Sequence, residues 1–244
     1  MRHHPKRIVV AGGDGTVATV AAAVSGSETE LAVIPGGTLN HFARNHGIPT
    51  DADEAVCVAR DGRCIQADVG YTGGRLFLNT SVVGAYVTYV RMRERLERYM
   101  GYHLASLAAA VRLFFRLRSV RVVLDIDGVQ KQYDTPLVFI GVGERELQVP
   151  ALGNRLPHGR HCLHVLVVRE RRAARVLAIA LEAMTRGVQA AAQQPELESF
   201  LVDRCTLDMA GGMSRIAVDG EIVTMQSPIE CRIAVGALTV VVPC

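Results

Sequence analysis

The sequence feature that most constrains the fold is a glycine-rich turn between a short apolar run and an apolar helical pattern. Ile8–Val10 is a β-type run, and the residues Gly12-Gly13-Asp14-Gly15-Thr16 follow it closely. Three glycines in four positions let the backbone turn sharply and approach a ligand without side-chain clashes. The Ala- and Val-rich stretch Val17–Val24 then predicts a helix, whose N-terminal N–H groups favour a phosphate. The chain therefore begins with a predicted α/β unit that binds an anion at its first turn.

Asp14 places a carboxylate inside this turn. A carboxylate among phosphate-binding amides is unfavourable unless a metal ion or a reacting proton is present, so the turn favours phosphoryl-transfer chemistry over a plain tight turn. A dinucleotide fingerprint is an alternative, because Gly13, Gly15 and Ala18 fit G-x-G-x-x-A. That fingerprint requires an acidic residue at the end of the second strand, where this sequence has a proline and a glycine.

A second strand, turn and helix repeat the first arrangement. Leu31–Ile34 is a short buried strand, Pro35-Gly36-Gly37 ends it, and Thr38–Arg44 has a helical pattern with Thr38 as the candidate N-cap. Ligands in α/β sheets bind at the carboxyl ends of the strands, so the two glycine turns are expected to converge on one ligand.

Composition limits the class of protein. Apolar residues make up 49% of the chain and charged residues 21%, which is typical of a globular protein. The net charge of +3 is too small to indicate a nucleic-acid partner. The six cysteines form no C-x-x-C pair, which predicts reduced thiols in a cytoplasmic protein.

The chain beyond residue 48 changes character, and we place a domain boundary between residues 48 and 49. A helix is expected at Asp51–Arg60, and helical regions at 85–118 and 171–194. The rest is rich in β-type runs, which predict a mostly antiparallel β-sandwich. These strands are predicted at Arg63–Val69, Arg75–Asn79, Val120–Ile126, Leu137–Val142, Leu163–Val168, Leu201–Leu207, Arg215–Val218 and Ala237–Val242.

Two polar clusters in this half are candidate sites. Asp219-Gly220-Glu221 is either a simple hairpin turn or a pair of carboxylates that act as a base or hold Mg²⁺. His158, His161 and His164 have spacings that suggest a metal, but the last two would point to opposite faces of a strand, which disfavours a shared ion.

The segment Tyr102–Arg118 predicts an amphipathic helix with a basic face. Such a helix either packs on the core with a solvated arginine face or lies on an anionic membrane surface. If the substrate is a lipid, this segment is the expected place of peripheral membrane contact.

The sequence resembles the diacylglycerol kinase catalytic-domain family, which is related to sphingosine kinases and more distantly to NAD kinases. The segments that carry the resemblance are Gly12–Thr16, Pro35–Arg44, Ala67–Gly70 with Phe77–Asn79, and Asp219–Glu221. The resemblance implies an α/β nucleotide-binding domain (1–48), followed by a β-sandwich lipid-substrate domain with inserted helices (49–244). It also implies ATP and Mg²⁺ as cofactors and transfer of the γ-phosphate to a lipid hydroxyl, such as that of diacylglycerol.

The resemblance also assigns roles to residues of this sequence. Asp14 matches the motif aspartate, which serves either the metal–phosphate site or the acceptor hydroxyl, and Glu221, with Asp219 beside it, matches the position proposed as the base. The nucleotide-binding positions are Gly12, Gly13, Gly15, Thr16, Gly36, Gly37, Thr38 and Asn40. NAD kinases share the first turn but not the second motif, which favours a lipid acceptor over NAD.

The N-terminal part is shorter than the resemblance implies. Only eleven residues precede Gly12, and none of them resembles the further strand and glycine loop that the family carries there. We therefore expect a truncated nucleotide-binding domain and a sheet with an unpaired edge, which favours a homodimer. The alternatives to an active lipid kinase are a catalytically impaired lipid- or nucleotide-binding protein and an NAD kinase.

Overall fold

The structure is a computed structural model that describes residues 5–84, 119–145, 159–169, 197–210 and 212–244, with residue 156 and six single positions between 87 and 101. Within these ranges the chain forms three helices and fourteen strands, arranged in two sheets. The helical regions expected at 85–118 and 171–194, the membrane-contact segment Tyr102–Arg118 among them, lie outside the described residues, apart from the six single positions.

The described elements follow one another in an order that places all three helices near the N-terminus. The helices are α1 (Asp14–Val24), α2 (His41–Asn45) and α3 (Ala52–Asp61). The strands are β1 (Arg7–Gly12), β2 (Glu30–Pro35), β3 (Arg63–Thr72), β4 (Arg75–Phe77), β5 (Thr80–Gly84), β6 (Val120–Ile126), β7 (Val129–Thr135), β8 (Leu137–Val142), β9 (Leu163–Val168), β10 (Leu197–Val202), β11 (Arg204–Met209), β12 (Met213–Val218), β13 (Glu221–Gln226) and β14 (Ile229–Val242).

The larger sheet is mixed and contains both N-terminal strands. Its order is β1-β2-β14-β11-β6-β7, and β3 pairs with β14 and β4. β1 runs parallel to β2, and β2 runs parallel to β14, with Leu31 opposite Val240. The remaining pairs of this sheet are antiparallel. The strands of the two strand–turn–helix units, β1 and β2, therefore belong to the same sheet as β14.

The smaller sheet is wholly antiparallel, in the order β10-β9-β8-β5-β12-β13. Buried apolar side chains of both sheets form one core, in which Phe77, Leu124, Ile140, Leu163 and Leu207 are almost completely inaccessible. A second core lies between α1 and strands β2, β3 and β14. A mixed α/β part joined to a β-sandwich confirms the predicted fold class.

Most of the predicted elements are present, but β5, β7 and β13 are not among the predicted strands, and one predicted strand is divided in two. The segment predicted as a single strand, Leu201–Leu207, is divided at Asp203 between β10 and β11. β10 pairs in the smaller sheet and β11 in the larger one, so the chain crosses between the two sheets at this point. A continuous run of β-type residues in the sequence does not show where the chain passes from one sheet to the other. The domain boundary between residues 48 and 49 stays a prediction.

The first strand lies at the end of the larger sheet. Among the described residues β1 pairs with β2 alone, and Val9 is 53% exposed on it. An edge strand of this kind carries unpaired backbone N–H and C=O groups. The described part of the chain contains no helix long and apolar enough to cross a lipid bilayer.

Phe77 offers a test of the sandwich core. Its ring is fully buried, and it lies so close to the backbone of Gly70 that a Cβ at that glycine would be 2.2 Å from the ring. We expect Phe77→Ala to lower the free energy of unfolding by about 3–5 kcal/mol, because it leaves a cavity between the sheets. Urea unfolding would measure this loss. The control is Val235→Ala, at a side chain that is 59% exposed and whose removal should have little effect.

Candidate active site

The two glycine turns touch each other through their backbones. The N–H of Gly36 donates to the carbonyl of Gly12 at 2.9 Å. A Cβ on Gly37 would lie 2.6 Å from the Cα of Gly13, closer than side-chain atoms come in real proteins. The expected convergence of the turns is therefore present, and it depends on the absence of a side chain at Gly37.

Asp14 joins the first turn to the second helix. Its Oδ2 accepts from the N–H of His41 at 3.1 Å, and its Oδ1 accepts from the N–H of Phe42 at 3.0 Å. These N–H groups begin α2 and have no partner within the helix, so Asp14 acts as an N-terminal cap supplied from another element. The carboxylate also lies at the positive end of the α2 dipole.

The prediction that Thr38 is the N-cap of α2 is wrong. The residue at that position is Asn40, which has a left-handed conformation with φ 49° and makes no side-chain cap hydrogen bond. Its amide instead closes the second turn, because Oδ1 accepts from the N–H of Gly37 and Nδ2 donates to the carbonyl of Gly37, both at 2.8 Å. Asp14 supplies the cap that Thr38 was expected to supply.

The side chains of the threonines in the two motifs differ in what they contact. Thr16 lies over Gly12, where a Cβ would be 2.8 Å from the Cβ of Thr16. Thr38 is exposed on the second turn. Both belong to the same edge of the sheet as Asp14, because the carboxyl ends of β1 and β2 lie side by side, with Gly12 opposite Pro35.

Asp219 forms the turn of the β12–β13 hairpin. Asp219 and Gly220 have φ values of 46° and 86°, the two positive values that a type I′ turn requires. The Asp219 carboxylate then accepts three backbone N–H groups, from Leu78 at 2.6 Å and from Asn79 and Thr80 at 2.9 Å. The hairpin interpretation and the functional interpretation of this motif are thus compatible.

Asp219 is partly buried in the structure. Burial raises the pKa of its carboxyl above the usual value, and the three backbone donors act in the opposite direction. The negative charge of Asp14 adds a smaller rise, which means that the two carboxylates lie close enough to interact. The structure therefore brings the N-terminal motif and the C-terminal motif to one place.

Glu221 completes this cluster from the first position of β13. Its Oε1 is 3.1 Å from the point where a Cβ on Gly15 would lie, and its Oε2 accepts from Nη2 of Arg75. A cleft of about 290 Å³ opens beside these residues. Its lining is Gly15, Ala18, Thr19, Ala22, Arg75, Leu76, Val218, Asp219 and Glu221.

The sequence did not identify Arg75 or Asn45 as site residues. Arg75 begins β4 and reaches Glu221, which is 146 residues further along the chain. Asn45 donates from Nδ2 to Oδ1 of Asn79 at 3.0 Å and so connects the end of α2 to the segment that Asp219 holds. The motif Phe77–Asn79 marked Asn79 as a residue of interest, but no spacing in the sequence connects Asn79 with Asn45.

The two described histidines of the cluster, His161 and His164, do not share a site. His161 contacts the buried carboxylate of Asp68, with Nδ1 2.7 Å from Oδ2, whereas His164 is directed to Ser199. His158 lies outside the described residues. Asp68, which belongs to the motif Ala67–Gly70, also accepts from the N–H of Gly236 at 3.0 Å. Its visible role is to join β3, β14 and the segment before β9.

His164 is a neutral donor inside the sandwich. Its Nδ1 accepts from the backbone N–H of Arg145 at 3.1 Å, so the proton is on Nε2, which lies 2.8 Å from the hydroxyl of Ser199. Burial lowers the pKa of His164, because the protonated ring would be transferred out of water.

The site is suited to a phosphorylated ligand with a divalent cation. Asp14, Asp219 and Glu221 offer only oxygen atoms, which Mg²⁺ prefers. In the described part of the chain, no three His, Cys, Asp or Glu side chains are close enough to hold a metal ion by themselves. Mg²⁺ is commonly bound by one or two carboxylates together with substrate phosphates, so the residues present fit that mode of binding.

Comparison with known proteins identifies a family model and several curated relatives that match part of this chain. Residues 1–72 match the family model of the diacylglycerol kinase catalytic domain. A protein of Staphylococcus carnosus (strain TM300) named "Diacylglycerol kinase" is 30% identical over 139 residues, which are 55% of this chain and 45% of that protein. A protein of Pseudomonas syringae pv. syringae (strain B728a) named "Probable lipid kinase YegS-like" is 33% identical over 142 residues, or 57% and 45% of the two chains. The matches thus span about half the length of these curated relatives.

Solved structures show the same fold over nearly all of the chain. A diacylglycerol kinase from Bacillus anthracis str. Sterne superimposes with a TM-score of 0.71 at 22% identity and covers 97% of this chain and 77% of its own. Yeast NADH kinase complexed with NADH gives a TM-score of 0.55 at 10% identity and covers 99% and 63%. The predicted resemblance to the diacylglycerol kinase catalytic-domain family is confirmed by the match of residues 1–72 to its family model.

The contact between the glycine turns can be tested with two neighbouring alanines. Gly37→Ala forces a Cβ against the Cα of Gly13, so we expect the free energy of unfolding to fall by about 1–3 kcal/mol. Gly36→Ala is the matched control, because its Cβ would lie 3.4 Å from the Cα of Gly12, an ordinary contact. Denaturant unfolding of both variants would measure the difference. Equal stabilities would contradict the described geometry.

The buried histidine predicts a loss of stability in acid. The folded-state pKa of His164 is lower than that of the unfolded chain, about 6.5, so the unfolded state binds more protons at low pH. Its contribution to stability is complete above about pH 6.5 and is lost as the pH falls toward the folded-state pKa. Urea unfolding of wild type and His164→Gln at pH 8.0 and 5.5 would measure this. An identical pH dependence in the two proteins would refute the prediction.

Proposed function

We propose that this chain, a relative of the diacylglycerol kinase catalytic-domain family, is an ATP-dependent lipid kinase that transfers the γ-phosphate to the hydroxyl of diacylglycerol or a similar lipid. The observation that carries the proposal is the meeting of Asp14, the two glycine turns and Glu221 at one sheet edge. This edge offers backbone N–H groups for phosphates and carboxylates for a cation and a proton. The names of the relatives support a lipid acceptor.

The glycine turns would hold the nucleotide phosphates. Gly12, Gly13 and Gly15 lead into the N-terminus of α1, and Gly36 and Gly37 lie against them without side chains. Backbone amides at a helix N-terminus favour an anion, and glycines let a phosphate approach closely. Thr16, Thr38 and Asn40 complete this surface, with Asn40 fixing the shape of the second turn.

The three carboxylates of the site would have different roles in the reaction. Asp14 would hold Mg²⁺ with the phosphates, and that ion would neutralise charge on the transferring phosphoryl group. Glu221, half-exposed beside the cleft, would accept the proton of the lipid hydroxyl. Asp219 would position the hairpin that presents Glu221, because its carboxylate already accepts three N–H groups.

A lipid acceptor places the reaction at a membrane surface. We propose that the protein works in the cytoplasm and contacts the bilayer peripherally, for which Tyr102–Arg118 is the candidate segment from the sequence. The free edge of β1 is the candidate contact surface of a homodimer, because among the described residues this strand pairs on one side only. A nucleic-acid partner is not part of the proposal, in keeping with the small net charge.

The proposal is tested by lipid phosphorylation. The purified chain, radiolabelled ATP, Mg²⁺ and diacylglycerol in mixed micelles should give labelled lipid. Asp14→Ala should reduce product formation by at least about 100-fold, because it removes the carboxylate at the phosphate site. Circular dichroism and thermal unfolding would show whether the variant still folds.

Two other outcomes would replace the proposal. Binding of ATP by calorimetry without turnover on diacylglycerol, long-chain alcohols or sphingoid bases would indicate a nucleotide- or lipid-binding protein. Formation of NADP⁺ from NAD, without labelled lipid, would indicate an NAD kinase, to which the fold is also related.

A further inference from the structure

The contact between Arg75 and Glu221 gives the two oxygens of one carboxylate different surroundings. Oε2 accepts from Nη2 of Arg75, whereas Oε1 is turned toward Gly15 at the start of α1. Both side chains lie on the lining of the cleft. Among the described residues, Arg75 is the one cation that forms an ion pair with Glu221.

Stability does not account for this pair. The side chain of Arg75 is 45% exposed and that of Glu221 is 56% exposed. An ion pair in water at this exposure contributes about 0–1 kcal/mol, and holding an arginine in one conformation has an entropic cost of a similar size. The effect of the pair that remains is to fix the orientation of the Glu221 carboxylate, with Oε1 directed toward Gly15.

The local backbone supports a fixed position for both partners. Arg75 is the first residue of β4, which pairs with β3 through the contact of Arg75 and Thr72. Glu221 follows the turn that Asp219 anchors to Leu78 and its neighbours, so the hairpin and the end of β4 are bound to each other. The ion pair thus joins the first residue of β4 to the first residue of β13.

We infer that Arg75 is a positioning residue for the phosphoryl transfer, an inference that rests on the proposed function. Arg75 holds Oε2 of Glu221 and leaves Oε1 free to accept the proton of the acceptor hydroxyl beside Gly15. In that step the acceptor oxygen forms the new P–O bond, its proton passes to Oε1, and the bond between the γ-phosphorus and the bridging oxygen breaks to release ADP. An arginine suits this role because its planar fork fixes the direction of the carboxylate.

The kinetic test compares Arg75→Gln and Arg75→Lys with a matched surface pair. Arg204 and Glu230 form an exposed ion pair at 3.3 Å on β11 and β14, outside the residues that line the cleft, so Arg204→Gln is the control. We expect Arg75→Gln to lower kcat by about 10- to 100-fold, since small misplacements of a reacting group have effects of this size. The KM values and the thermal stability should change little, Arg75→Lys should recover part of the loss, and Arg204→Gln should keep the wild-type kcat.

A double-mutant cycle shows whether Arg75 acts through Glu221. Glu221→Gln alone should lower kcat by about 100- to 10,000-fold, as expected for loss of a general base. If Arg75 only positions Glu221, the double variant should be no slower than Glu221→Gln. A further loss equal to that of Arg75→Gln alone, or a rise in the KM for ATP in place of the loss in kcat, would overturn the inference.

A measurement without turnover separates this inference from the proposed function. In ¹⁵N NMR spectra the guanidinium of Arg75 should show restricted rotation that is lost in Glu221→Gln and kept in Glu230→Gln. An Arg75 signal that is freely rotating in the wild type would overturn the inference whatever the activity. A restricted signal in a wild type that makes no labelled lipid would instead refute the proposed function, and with it the catalytic role of the pair.

Discussion

The structure depends on one long strand that pairs with both halves of the chain. Over its whole length β14 lies beside β3 on one side, and on the other side it pairs first with β11 and then with β2. Its register shifts between Ala234 and Leu238, at the point where it leaves one neighbour and reaches the next. The buried carboxylate of Asp68 accepts from the N–H of Gly236 within that irregular stretch. The two N-terminal strands and one sheet of the sandwich are therefore held together by main-chain hydrogen bonds.

Two of the three acidic residues of the site accept hydrogen bonds from backbone N–H groups. Asp14 accepts two from the start of α2, and Asp219 accepts three from the segment after β4. Such bonds compensate a charge that burial would otherwise make costly. They also fix the distance between segments that are remote in the sequence. Glu221 differs, because its carboxylate contacts a side chain and remains half-exposed.

The sequence predicted those parts of the site that are local in the chain. The two strand–turn–helix units follow from hydrophobic runs and glycines, and the Asp219 turn follows from an Asp-Gly pair between strands. The division of Leu201–Leu207 between two sheets could not be predicted, because a crossing between sheets leaves the alternation of residues unchanged. The cap of α2 was missed for a similar reason. Its acceptor, Asp14, lies 27 residues before the first N–H that it binds, whereas cap rules consider only adjacent residues.

The long separation in sequence between β14 and its partner β2 has a consequence for how the protein is made. Leu31 and Val240 are paired although about two hundred residues separate them in the sequence. Contacts of such long range slow folding, because the chain loses the entropy of a large loop before the contact forms. During synthesis, β2 and β3 have no β14 to pair with until residues 229–242 have left the ribosome. β2 and β3 therefore each lack one neighbouring strand until β14 has been synthesised, and a chain that stops short of residue 229 lacks the strand that unites its two halves.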